Sequence, residues 1–363
     1  MTTVAPSVSA ALLSSQRRRQ GQWVLGTLAC SVLIATAAAV AVGPIRVDLL
    51  SLLHIGLQAI GIGDQHQIDP IVTGVVQSIR APRAVLGLLA GASLGIAGAA
   101  MQGFFRNPLA DPGLIGVSAG GALAAVAVIV LGGGALAGVA LSTTLLPLAA
   151  FVGALATVAL IYGLSLWDGR VIVATMLLAG VAANALAFSG IGYLTFLADD
   201  NQLRDLTFWT LGSLGGATWA RVMPAALAMV VAIAGLLRLQ RPLNALLMGE
   251  TDARCLGVDA ESTKRQAAVF TALGVGAATA VCGIVSFVGL VVPHLVRLLA
   301  GPDHRVVLPG SALLGGSLIL GADLIARIAV APAELPLGVV TAALGAPFFL
   351  WLLLRNKRHG GLG

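Results

Sequence analysis

The chain has 363 residues, 58% of them hydrophobic and only 10% charged, at a mean hydropathy of +0.97. That balance excludes a soluble globular domain, whose surface needs far more polar residues, and defines an integral membrane protein. The net charge of +6 comes from basic residues spread in ones and twos at the ends of apolar runs. Such scatter excludes a nucleic-acid-binding face and reports membrane topology instead.

A span needs roughly 20 mostly apolar residues. The dyad alternation of a transmembrane barrel is absent, so helices are the spanning element. Arg17, Arg18 and Arg19 precede an apolar stretch over 23–43. A signal peptide would share that arrangement, but the stretch is too long for one and reads as an uncleaved first span. Further spans are expected over 83–105, 114–134, 145–166, 171–196, 221–240, 266–283, 286–300, 306–327 and 337–354, ten in all. The run from 266 to 300 is one long helix or two short ones, and Gly283, Gly289 and Pro293 favour two.

With the N-terminus inside, the basic residues left outside are Arg46, Arg80, Arg83, Arg204, Arg221 and Arg327, and all the others fall on the cytoplasmic side. This agrees with the positive-inside rule and places both termini in the cytoplasm. The expected organisation is an N-terminal tail over 1–22, a single transmembrane domain over 23–354 with a cytoplasmic loop near 241–265, and a C-terminal tail over 355–363. Small residues recur at helical spacing in GLLAGASLGIAGAA (87–100) and GSALLGGSLILGA (310–322), the pattern of closely packed membrane helices. The loose likeness of the two blocks also hints at an internal duplication, common in transporters.

Chemistry is sparse. The chain has no GxxxxGK[ST], and its two lysines, Lys264 and Lys357, follow Thr263 and Asn356. It therefore has no phosphate-cradling loop of its own. HExxH and CxxCH are likewise missing, no catalytic or metal-binding set is expected, and Cys30, Cys255 and Cys282 read as isolated apolar fillers. Asp323 and His294 are the main ionisable residues inside spans, with Arg327 following Asp323 at i+4 on the same face. A carrier driven by its own ion coupling would depend on Asp323. His66 and His294 are the candidate axial ligands for a metal chelate, and a lone His is more often structural.

The segment GETDARCLGV (249–258) stands apart, with three charges in its first six positions between long apolar runs. Leu243, Leu246, Leu247 and Met248 form one apolar stripe, Gly249 breaks it, and Ala253, Leu256 and Val258 begin another. Two short amphipathic helices hinged at a glycine make a docking platform on the cytoplasmic face.

This segment resembles the coupling loop of the permeases of ATP-binding cassette importers for iron-siderophore, haem and vitamin B12. Their G-E-x-x-A-x-x-L-G pattern matches Gly249, Glu250, Ala253, Leu256 and Gly257, with Arg254 inside it. RAPR (80–83), FFRNPLADPGLIGVSAGGAL (104–123), GIVSFVGLVVPHLVRLLAGPDHRVVLPG (283–310) and AELPLGVVTAALGAPFFLWLL (333–353) match in order, so the resemblance covers nearly the whole chain from residue 80. It implies a type II importer permease fold, all-α with about ten spans, in the bacterial inner membrane. It further implies a homodimer around a central pathway, bound to two copies of a separate cytoplasmic ATPase and loaded by a periplasmic binding protein. In that family acidic residues of the binding protein meet permease arginines, at positions occupied here by Arg80, Arg83 and Arg327. The pathway would be lined by the fifth, eighth and tenth spans, with a cytoplasmic gate near Val173, Ala174 and Thr175. The stretch LADDNQLRDLTFWTLGSLGG (197–216) looks closest to haem permeases, which favours haem as cargo over a ferric siderophore or cobalamin. No permanently bound cofactor is implied, haem is the transported substrate, and ATP belongs to the partner subunit.

Overall fold

The computed structural model describes residues 8–43, 47–59, 69–132 and 144–358. Arg46 and His66 lie outside these residues. The elements in chain order are α1 (Val8–Ala41), α2 (Leu49–Ala59), α3 (Pro70–Phe104), a short 3₁₀ turn (Pro112–Ile115), α4 (Val117–Leu131) and α5 (Leu145–Leu164). A two-stranded hairpin follows, β1 (Leu166–Trp167) and β2 (Arg170–Val171), then α6 (Val173–Leu197), α7 (Asp200–Leu211) and α8 (Trp219–Arg238). The chain continues through α9 (Gln240–Met248), α10 (Glu250–Cys255), α11 (Ala260–Cys282), α12 (Val288–Ala300), α13 (His304–Ile328) and α14 (Leu337–Arg358).

Each of the ten expected spans overlaps an apolar helix of the described residues. Among the described residues, seven helices are long and apolar enough to cross a membrane, and three shorter apolar ones, Val117–Leu131, Val288–Ala300 and Leu337–Leu352, accompany them. The break between the seventh and eighth spans falls where the glycines place it: α11 stops at Cys282, and Gly283 takes a φ of 72°. Several boundaries differ from expectation: α1 already begins at Val8, inside the expected N-terminal tail, and α11 at Ala260. The second span belongs to a helix that already begins at Pro70, so Arg80 and Arg83 sit inside it, beside a π-turn over Val76–Arg80. Residues 166–171, between the fourth and fifth expected spans, form a hairpin. The acidic stretch after the fifth span is a helix, α7, closed by a capping box in which Asp199 accepts from the Gln202 N–H and Gln202 returns the bond.

The bundle is organised around α3, the most deeply buried of the long helices. Where α3 meets α13 and α12, small residues let the backbones touch. A Cβ placed on Gly91 would collide with the Gly315 carbonyl, one on Gly95 with the Ser311 carbonyl, and one on Gly98 with the Gly289 carbonyl. The two glycine-rich blocks therefore pack against each other. Dispersion across this close contact replaces the hydrophobic drive that lipid cannot supply. A hydroxyl pair, Ser31 to Ser317 at 2.9 Å, joins α1 to α13. By contrast α6 lies at the periphery and leaves Leu178, Val181, Leu186, Phe188 and Phe196 uncovered.

Candidate functional site

The two ends of the bundle carry different chemistry. At one end α8 runs directly into α9 and α10. The α9 platform is pinned to the start of α13: Asn244 donates to Asp303 at 2.6 Å and accepts from the His304 N–H at 2.9 Å. Gly249, at a φ of 122°, is the break between α9 and α10, a backbone setting that only glycine adopts without strain. Gly257, at 77°, ends the motif in the same way.

The apolar residues of this segment divide into two sets. Leu243, Leu246 and Ala253 are buried in the protein's own core, whereas Leu247, Met248 and Leu256 are exposed. Each of the two expected stripes is therefore divided between an anchor face and a free face. Glu250 opens α10 and pairs with Lys264 at 2.8 Å, while Arg254 sits in its last turn. Val173, Ala174 and Thr175 form the first turn of α6, immediately after the hairpin, and Ala174 is exposed.

At the opposite end, some 30 Å away by the rise of α3 from Arg83 to Phe104, three arginines meet. Arg83 donates to Asp323 through Nε at 3.0 Å and Nη2 at 2.9 Å, and grips Glu334 with Nη1 at 2.9 Å and Nη2 at 2.8 Å. Arg327 Nε lies 3.1 Å from Asp323, the i+4 pairing expected from the sequence. Arg80 donates to the carbonyls of Val40 and Ala41, and Arg327 to those of Ala39 and Val42. These are the carbonyls that the C-terminus of α1 leaves without helical partners, and two cations there also oppose the helix dipole favourably. All three arginines are thus buried or nearly so, with intrachain partners.

Glu334 lies in the connection before α14, outside the spans. Its hydrogen bond to Arg83 holds its carboxyl below the ordinary carboxylate range. A depressed folded value contributes stability that is complete above the unfolded value of about 4.3 and is lost as pH falls through the folded one. Glu334→Gln is therefore expected to melt below the parent at pH 7, by no more than the ~1 kcal/mol of a partly exposed pair. Melting curves of the two proteins in detergent should converge as the pH drops below 4.

Among the described residues no group of three or more His, Cys, Asp or Glu is placed to hold a metal ion. His294 stands alone on α12. Cys282 is buried, but Cys30 and Cys255 are exposed rather than packed as fillers. Sequence reasoning missed the part played by Lys264 and the hairpin beside it. A lysine in a chain with only one other, three residues after Glu261, is the available signal.

A many-helix apolar bundle with a helical platform at one end and an arginine cluster at the other defines a multi-pass membrane transport protein. The profile of the FecCD transport family matches residues 30–355. The chain belongs to that family, as a permease subunit of its type of ATP-binding cassette importer. It is 46% identical over 283 residues to the hemin transport system permease protein of Yersinia pestis, covering 78% of this chain and 84% of that one. It is 45% identical over 279 residues to a cobalamin import system permease protein of Halobacterium salinarum, covering 77% and 73%. A vitamin B12 import system permease protein of Salmonella paratyphi A is 40% identical over 343 residues, covering 94% and 98%. Among solved structures, an inward-facing conformation of a metal-chelate type ABC transporter superposes with a TM-score of 0.80 at 27% identity, covering 92% of this chain and 99% of that one.

Proposed function

We propose that this permease carries haem from a periplasmic binding protein into the cytoplasm, as a homodimer driven by two copies of a separate ATPase. The observation that carries the energy source is the exposed set Leu247 and Met248 on α9 and Leu256 at the C-cap of α10, in a chain with no nucleotide-binding motif of its own. Apolar side chains held out on rigid, pinned helices are the kind of anchor that fills a partner's cleft. Replacing Leu256 with Asp leaves the core untouched and is expected to weaken ATPase association by roughly 30-fold, or about 2 kcal/mol. Titration of the detergent-solubilised permease with labelled ATPase measures it.

The uncovered face of α6, with exposed Leu344 and Trp351 on α14, suits a second copy of the chain enclosing a pathway. Weakly interacting apolar walls would let a bulky chelate pass without trapping it. Arg80, Arg83 and Arg327 mark the docking end. Since their guanidiniums are occupied within the chain, their part is to fix the rim that a binding protein meets.

Haem is supported by the segment over 197–216 and by the similarity to the Yersinia pestis hemin permease. The similarity to cobalamin and vitamin B12 permeases keeps cobalamin as the second reading. Proteoliposomes offered haem, cobalamin and a ferric siderophore in parallel, each with its binding protein, decide between them. Accumulation of haem alone is the expected result, and accumulation of cobalamin alone replaces the cargo while keeping the importer.

A further inference from the structure

Lys264 is one of only two lysines in the chain, and its side chain is 2% exposed. Lysine is almost never fully buried unless its charge is paired. Here Nζ lies 2.8 Å from Glu250 Oε1 on α10 and 3.0 Å from Glu261 Oε1 on α11. It also donates to the Val171 carbonyl at 3.4 Å. The other oxygen of Glu261 accepts from the Val171 N–H at 2.8 Å. Lys264 and Glu261 together hold both backbone polar groups of one residue, and that residue ends β2.

Little slack separates this grip from α6. The hairpin turns through Asp168 and Gly169, with φ of 49° and 72°, the positive pair a tight two-residue connection requires. Leu166 pairs with Val171, and the Ile172 N–H returns to the Ser165 carbonyl at 3.0 Å. Ile172 is then the N-cap residue of α6. An ion-paired ammonium and one gripped peptide segment therefore link α10 to α6.

Stability alone does not account for that ammonium. A buried ion cluster can usually be replaced by apolar groups of the same volume at little cost, because desolvation offsets most of the Coulomb gain. What apolar packing cannot reproduce is a directional link among three elements brought together from residues 171, 250 and 264. We propose that Lys264 is a positioning residue, transmitting movement of α10 to the cytoplasmic end of α6 through Val171. This rests on α9 and α10 being the ATPase-binding surface.

The test uses the full permease assembled with its ATPase in proteoliposomes. Ala174→Cys is the reporter, in a background where the exposed Cys30 and Cys255 are Ser, and the measurement is its rate of thiol labelling with and without ATP. In the parent, ATP is expected to change that rate on the order of tenfold, the size of ordinary couplings between sites. Lys264→Met combined with Glu261→Gln removes the link without stranding a buried charge. The ATPase should still copurify with it, but the ATP-dependent change in labelling should vanish. Lys264→Arg, which keeps the cation, should retain most of it. A parent-like response in the Met/Gln variant overturns the relay and leaves Lys264 a structural staple. A parent complex in which ATPase binds but ATP leaves labelling unchanged also overturns the relay. A parent that binds no ATPase overturns the docking reading on which it rests.

Discussion

Asp323→Ala is expected to destabilise the protein by about 3–5 kcal/mol, because it removes one partner of a buried ion cluster and leaves the cations behind. Asp323 is buried and touches both Arg83 and Arg327. Glu334 still holds part of Arg83, and two carbonyls still hold Arg327, which keeps the loss at the lower part of that range. Asp323→Asn, which retains an acceptor, should cost less. Melting temperatures of the purified variants in detergent check both. The result also separates two ways of driving transport. An ion-coupled carrier needs a carboxylate that gains and loses its proton during the cycle, whereas the Asp323 oxygens are taken up by the guanidiniums of Arg83 and Arg327 at 2.9 and 3.1 Å. In a folded Asp323→Asn protein, transport should persist.

Gly91→Leu is expected to cost more than 3 kcal/mol and to leave little folded protein. The new Cβ would overlap the Gly315 carbonyl and sit 2.9 Å from the Gly316 Cα, both backbone atoms that no rotamer change can move aside. Separation of α3 from α13 would follow, and with it the contact that centres the bundle. Gly321→Ala is the control on the same helix pair. Nothing lies within 4 Å of a Cβ there, and the position has helical geometry, so the change should be neutral or stabilise by about 0.5 kcal/mol. Size-exclusion profiles and melting curves of the two variants should differ sharply. Equal behaviour would mean that the glycine contact does not hold the bundle together.

Much of the architecture was legible because lipid imposes a simple rule. Backbone groups must be satisfied within each segment, so long apolar runs become helices and their charged breaks become the connections. The hinge at Gly249 and the two short helices around it were readable for a related reason, since a glycine between two amphipathic stripes has few alternatives. The capping box of α7 was also present in the letters, as Asp199 followed three residues later by Gln202.

What stayed hidden depends on contacts between residues distant in sequence. Nothing local in RAPR shows that Arg83 will meet Asp323, 240 positions away, and Glu334 beyond it. The resemblance groups Arg80, Arg83 and Arg327 as docking positions, but their burial against the end of α1 is set by packing. The same holds for Lys264, whose three partners come from α10, α11 and β2. The split of the coupling stripe into buried Leu243 and Leu246 and exposed Leu247 and Met248 likewise needs the neighbouring helices, because helical periodicity alone does not say which face is covered.

The central claim is that ATP hydrolysed by a separate subunit drives cargo through this chain by way of α9 and α10. The most direct test is the initial rate of cargo uptake into proteoliposomes holding the permease and its ATPase, loaded binding protein outside, with and without ATP inside. Uptake that needs ATP, and that collapses in Leu256→Asp while the protein remains folded, is the predicted result. Uptake that proceeds at the same rate without ATP, or in liposomes lacking the ATPase, would contradict it.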